Sequence, residues 1–159
     1  MPPKLIEKEA KFTYLTEVIV IENKVQLSPW SLKNFEDALT AQNLFKVFFI
    51  ENKLVGYYVA LLAADECQLL NIAIHSDFQN NGYGHYLITH LKKICVDADI
   101  VNIFLEVRSS NKKAIRLYEK NGFNELGIRN YDPDSIVGWL IWVLKNRGVR
   151  EFLKNFYSL

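Results

Sequence analysis

At 159 residues, half of them hydrophobic and 13% aromatic, the chain can bury one ordinary core and is too apolar for a disordered segment. A formal net charge of +1 provides no global field, so neither nucleic acid nor a membrane surface is expected as a partner. The apolar runs at 55–64 and 136–144 are too short to span a bilayer, and the charged N-terminus shows no signal-peptide core. Cys67 and Cys95 follow no metal or disulfide spacing, which fits buried reduced thiols in a cytoplasmic protein.

Residues 4–10 suit a short edge strand. Residues 14–25 carry a Val-Ile-Val-Ile run that favours a strand. Yet Leu15, Val18, Ile19, Glu22 and Val25 follow helical spacing, and no turn signal precedes Ser28-Pro29, so a helix is the expectation. Ser28-Pro29-Trp30-Ser31 reads as the start of a second helix with Leu32, Phe35 and Leu39 on one face. Residues 44–50, 54–62 and 67–74 then form a three-stranded antiparallel meander, with turns at Glu51-Asn52-Lys53 and Ala63-Ala64-Asp65.

After Gly84 the rhythm changes. Leu87, Ile88, Leu91, Ile94 and Cys95 mark one face of a helix, residues 101–107 a strand, and residues 111–120 a helix stopped by Asn121-Gly122. Strands at 123–129 and 136–144 complete the sheet. The predicted fold is one mixed α/β domain over residues 1–159, an antiparallel meander followed by a central parallel crossover. Residues 145–159 form a C-terminal helical extension, in which Val149, Phe152, Leu153 and Phe156 make an apolar stripe suited to docking on the core or on a partner.

The segment Gln79-Asn80-Asn81-Gly82-Tyr83-Gly84 joins a strand to a helix. Such a junction exposes backbone N–H groups at the positive end of a helix, a place for a pyrophosphate; equally, two glycines can serve only to make a tight turn. No Gly-Lys-Ser/Thr follows, which excludes a Walker loop, and the Gly-x-Gly-x-x-Gly pattern is absent.

The segment resembles the Gln/Arg-x-x-Gly-x-Gly/Ala signature of the GNAT acetyltransferases. Asn71-Ile72-Ala73-Ile74 before it and Ala114-Ile115-Arg116-Leu117-Tyr118-Glu119-Lys120-Asn121-Gly122-Phe123 after it resemble that family's other blocks. Leu105-Glu106-Val107-Arg108-Ser109-Ser110-Asn111 and Pro29-Trp30-Ser31 are similar to the bacterial ribosomal-protein alanine N-acetyltransferases within it. The resemblance covers residues 14–144. It implies acetyl-CoA as co-substrate and no metal. It also implies direct transfer to an amine: a protein N-terminus, as in a ribosomal protein, or alternatively a lysine, a polyamine or another small amine. A non-catalytic acyl-CoA-binding module is the reading from another class.

The resemblance also implies roles. The backbone of Ile72, Ala73 and Ile74 lines the cofactor's pantetheine arm, and Gln79, Asn80, Asn81, Gly82, Tyr83, Gly84 and His85 surround its phosphates. Asn80 and Asn81 replace residues that are commonly basic, so backbone amides carry more of that binding. Asn111, a helix cap by position, matches a cofactor contact. Glu106 reads by itself as a base lifted by burial, or as a strand-end carboxylate that pairs with Arg108 or caps the following turn; it falls where the group carries its base. Tyr118, by spacing a ring facing the sheet, matches the proton donor to the departing thiolate. Tyr131-Asp132 departs from the adjacent tyrosines common on the acceptor side. Neither cysteine lies at a motif position, so no acyl-enzyme is expected.

Overall fold

The structure, a computed structural model, describes residues 4–128 and 139–145. The Tyr131-Asp132 segment and residues 146–159 of the expected C-terminal helix lie outside the described residues. A seven-stranded mixed sheet has the order β1-β2-β3-β4-β5-β7-β6. Its residues divide between two compact units, 1–61 with 70–87 and 62–69 with 88–159.

In the first unit β1 (Ile6–Glu9) lies antiparallel to β2 (Leu44–Ile50), with Ile6 opposite Phe49. Lys46 of β2 reaches back to both Glu7, at 2.9 Å, and Glu9 on that edge strand. β3 (Lys53–Ala63) returns antiparallel after a turn in which Glu51 takes φ +55°, so Lys53 belongs to the strand rather than to the turn. Residues 15–25 are the helix α1 (Leu15–Val25). The periodic burial of Leu15, Val18, Ile21 and Glu22 overrides the strand propensity of the Val-Ile-Val-Ile run, whose Val20 faces solvent. Ile21, absent from the expected stripe, belongs to its buried face.

α2 (Leu32–Thr40) begins with a capping box. Ser31 Oγ accepts from Asn34 N at 3.2 Å, and Asn34 Oδ1 accepts from Ser31 N at 2.9 Å. Pro29 precedes the cap, and the buried face is Phe35 and Ala38. Leu32, expected on that face, is instead exposed, because the cap sets it one turn outside the core. Phe35 is the hub, its ring centre 5.1 Å from Trp30 and 5.8 Å from both Phe45 and Tyr57. Ser31→Ala is expected to lower stability by about 1 kcal/mol, read as a fall in the urea midpoint with an unchanged slope.

In the second unit the start of β4 (Glu66–Ile74) pairs in parallel with β5 (Asn102–Arg108), from Glu66↔Asn102 to Leu69↔Leu105. The crossover between them contains α3 (Tyr83–Asp97), whose Ile88, Leu91 and Cys95 are buried. Cys67 and Cys95 are buried free thiols. α4 (Lys112–Lys120) ends in a Schellman motif: Gly122, at φ +89°, donates to Glu119 O, and Phe123 N donates to Tyr118 O at 3.0 Å. β6 (Asn124–Ile128) then pairs with β7 (Trp139–Lys145), and β7 lies between β5 and β6, antiparallel to both. Lys145, taken from sequence as the start of the extension, closes β7. Among the described residues no helix is long and apolar enough to cross a membrane, and no three His, Cys, Asp or Glu side chains are grouped to hold a metal.

Candidate functional site

The glycine turn belongs to the first unit. β4 gives way at His75, whose N–H donates to Val55 O at 2.8 Å; one 3-10 turn spans Ser76–Phe78. Asn80 takes φ +63° and Gly82 φ +83°, and alternation of left-handed residues with ordinary ones turns successive N–H groups into a concave nest. A Cβ on Gly82 would meet nothing within 4 Å, so the dihedral rather than crowding demands glycine there.

α3 begins two residues earlier than its sequence implied. Tyr83 opens it, and Gly84 and His85 lie in its first turn. The first helical bond runs from Tyr86 N to Gly82 O at 3.1 Å, so the N–H groups of Tyr83, Gly84 and His85 project from the helix's positive end. No acidic residue occupies that first turn. This combination suits a phosphate, and two asparagines instead of cations leave the attraction to backbone dipoles.

The side chains here mostly build the loop. Gln79 Nε2 donates to Ile74 O at 3.0 Å, and Asn81 Nδ2 donates to Phe78 O at 3.3 Å and to Gln79 O at 3.1 Å. His75 Nδ1 accepts from Asp77 N at 3.1 Å, a local capping role. His85 is exposed.

Glu106, Asn111 and Tyr118 belong to the second unit. β5 buries Ile103, Leu105 and Val107 on one face, and alternation puts Asn102, Phe104, Glu106 and Arg108 on the other, half-buried face. Glu106, opposite Ile141 of β7, is therefore on the wetter side of the strand rather than enclosed. Asn111 caps α4: its Oδ1 accepts from Ala114 N at 3.2 Å. The cap uses only the oxygen, so its amide nitrogen can serve a second partner.

Tyr118 is 7% exposed, with its ring centre 5.7 Å from Phe123. It is the third residue from the helix end, and Phe123 the second beyond the cap, so their contact is the apolar clasp that accompanies a Schellman motif. The phenol is thus fixed by the helix terminator. Burial pushes its pKa above the ordinary tyrosine range and keeps it protonated, as a hydrogen donor must be. The hydroxyl is desolvated along with the ring.

Sequence reasoning passed over one polar cluster. Glu22, 1% exposed, accepts from Tyr57 Oη at 2.6 Å and from Asn71 Nδ2 at 2.8 Å. The available signal was a carboxylate within the apolar stripe of α1, where burial requires donors.

Residues 11–123 match the acetyltransferase (GNAT) family. The ribosomal protein bS18-alanine N-acetyltransferase of Salmonella typhimurium is 38% identical over 116 residues, covering 72% of this chain and 78% of that protein. A putative ribosomal protein bS18-alanine N-acetyltransferase of Bacillus subtilis is 31% identical over 150 residues, covering 92% and 99%. The crystal structure of the ribosomal-protein-S18-alanine N-acetyltransferase from Escherichia coli superposes with a TM-score of 0.81 at 32% identity, covering 89% of this chain and 94% of that one. The mixed sheet, the strand–turn–helix junction and these likenesses agree: the chain belongs to the GNAT acetyltransferase family and is an acetyl-CoA-dependent N-acetyltransferase.

Proposed function

We propose that the chain acetylates the free α-amino group of a protein N-terminus, with an N-terminal alanine of a ribosomal protein as acceptor. The observation that carries this reading is the 38% identity to the Salmonella typhimurium enzyme, whose name states that acceptor.

Acetyl-CoA supplies the acetyl group as a thioester; the chain's residues bind, orient and move protons. The N–H groups from Gly82 to His85 receive phosphate oxygens, and the β4 backbone at Ile72–Ile74 receives the pantetheine arm. Glu106 removes a proton from the incoming ammonium, directly or through a water. The ammonium titrates near pH 8, so near neutrality it needs little help to lose its proton, and Glu106 stands on the half-buried face of β5 to receive it. Tyr118 donates a hydrogen bond to the sulfur as it departs, and Asn111 contacts the cofactor through its amide nitrogen. Attack is direct, since Cys67 and Cys95 are both buried.

Thiol release from acetyl-CoA tests the acceptor. Three substrates suffice: a peptide beginning with alanine, the same peptide with a blocked N-terminus and an internal lysine, and spermidine. Turnover is expected with the free N-terminus alone. Comparable turnover with the blocked peptide or spermidine would move the acceptor to a side-chain or small amine. Coenzyme A binding without turnover on any amine would make the protein a binding module.

A further inference from the structure

The Glu22 cluster extends from α1 to the backbone of β4, wholly within the first unit. Glu22 Oε1 accepts from Tyr57 Oη at 2.6 Å; Oε2 accepts from Asn71 Nδ2 at 2.8 Å and from Trp30 N at 2.9 Å. A carboxylate only accepts, so Asn71 must turn its NH2 group to Glu22 and its oxygen away. That oxygen accepts from Gln26 Nε2 at 2.8 Å, and the same nitrogen donates to Ile72 O at 3.0 Å. The direction of every bond is dictated from the carboxylate outward. The chain ends as a donor on the backbone of β4.

Which edge of β4 receives it follows from alternation. His75 N bonds to Val55 O in β3, and a Cβ on Gly56 would stand 3.1 Å from Ala73 O, so residues 73 and 75 face β3. Ile72 and Ile74 then face the opposite edge, where the ladder to β5 ends at Leu69. On that edge Gln26 occupies Ile72 O, and Gln79 Nε2 occupies Ile74 O at 3.0 Å. A strand edge ordinarily offers donors and acceptors together. Here two side-chain amides cap the carbonyls, and the N–H groups of Ile72 and Ile74 are what the edge has to give.

We infer that Gln26, oriented by Glu22 and Asn71, is a positioning residue for the pantetheine arm: with Gln79 it makes this edge donor-only, so the arm is held through its carbonyl oxygens. The inference rests on the acetyl-CoA reading above and adds a residue outside its motifs. Gln26 acts through Ile72 and need not touch the cofactor. It is half-buried at the end of α1, a position that tolerates substitution without emptying the core.

Calorimetric titration separates the arm from the phosphates. Coenzyme A and its adenosine bisphosphate half, which lacks the arm, are titrated into the wild type, Gln26→Leu and Gln26→Glu. Gln26→Leu is expected to weaken coenzyme A about fivefold, the worth of one hydrogen bond, and to leave the bisphosphate unchanged. Gln26→Glu sets an acceptor against Asn71 Oδ1 and Ile72 O and is expected to weaken coenzyme A further, again sparing the bisphosphate. Equal coenzyme A affinity in all three proteins, or parallel losses for both ligands, would overturn the positioning role. A wild type that binds neither ligand would overturn the acetyl-CoA reading itself, and this role with it.

Discussion

Glu106→Gln is expected to slow acetyl transfer about a hundredfold at pH 7, the lower end of what general acid–base catalysis contributes. Glutamine keeps the size and hydrogen-bonding capacity of the side chain on the half-buried face of β5, so the melting temperature should hold. The diagnostic is the pH dependence. An α-amine titrates near pH 8, so at pH 7 only about a tenth of it is free to attack, and at pH 9 about nine-tenths is. The part of the defect due to a missing proton acceptor for the ammonium should therefore shrink with rising pH, leaving about a tenfold deficit at pH 9. A profile of kcat/KM against pH for both proteins measures this. A constant ratio across the range would remove Glu106 from the base role, and the pairing with Arg108 weighed from sequence would become its better explanation.

The features legible in the sequence share one property: each is decided within about a turn of chain. The Ser31 cap, the left-handed Gly122 that ends α4, the Asn111 cap and the glycine turn depend on neighbours three or four residues away. The helix over the Val-Ile-Val-Ile run was readable because spacing, not propensity, decides which face is buried. What escaped depends on partners far along the chain. β7 lies between β5 and β6, an arrangement that no local pattern encodes. Glu22 finds its side-chain donors 35 and 49 residues away, and Gln26 reaches Ile72 across 46. Leu32 fits the apolar spacing of α2 yet points outward, because spacing defines a stripe and not where the stripe stops. The candidate site divides in the same way: its motif residues were visible, and the buried chain that orients β4 was not.

Tyr118→Phe is expected to lower kcat about a hundredfold while leaving the affinity for coenzyme A nearly unchanged, because the hydroxyl acts on a sulfur whose charge develops only during transfer. The fold should tolerate the change. Phenylalanine keeps the ring against Phe123 and leaves the Schellman bonds of Gly122 and Phe123 intact, since these are made by backbone. Unlike the Glu106 defect, this one should not shrink at alkaline pH. Burial raises the phenol above its ordinary range near 10, so the wild-type donor keeps its proton across the working range and the ratio of the two proteins stays level from about pH 6 to 10. A second, independent reading comes from stability. Below pH 10 the phenol is neutral in both folded and unfolded chains and contributes no slope. Above pH 10 the unfolded tyrosine loses its proton while the buried one retains it, so the wild type should lose up to about 1.4 kcal/mol per pH unit that Tyr118→Phe does not. Denaturant midpoints at pH 9 and pH 11 measure that difference without reference to catalysis. A Tyr118→Phe enzyme with wild-type kcat would dismiss the hydroxyl as proton donor. Equal alkaline destabilisation of the two proteins would show instead that the phenol is not buried. The two outcomes are separable because the first depends on what Tyr118 faces and the second only on how well α4 and its terminator cover it.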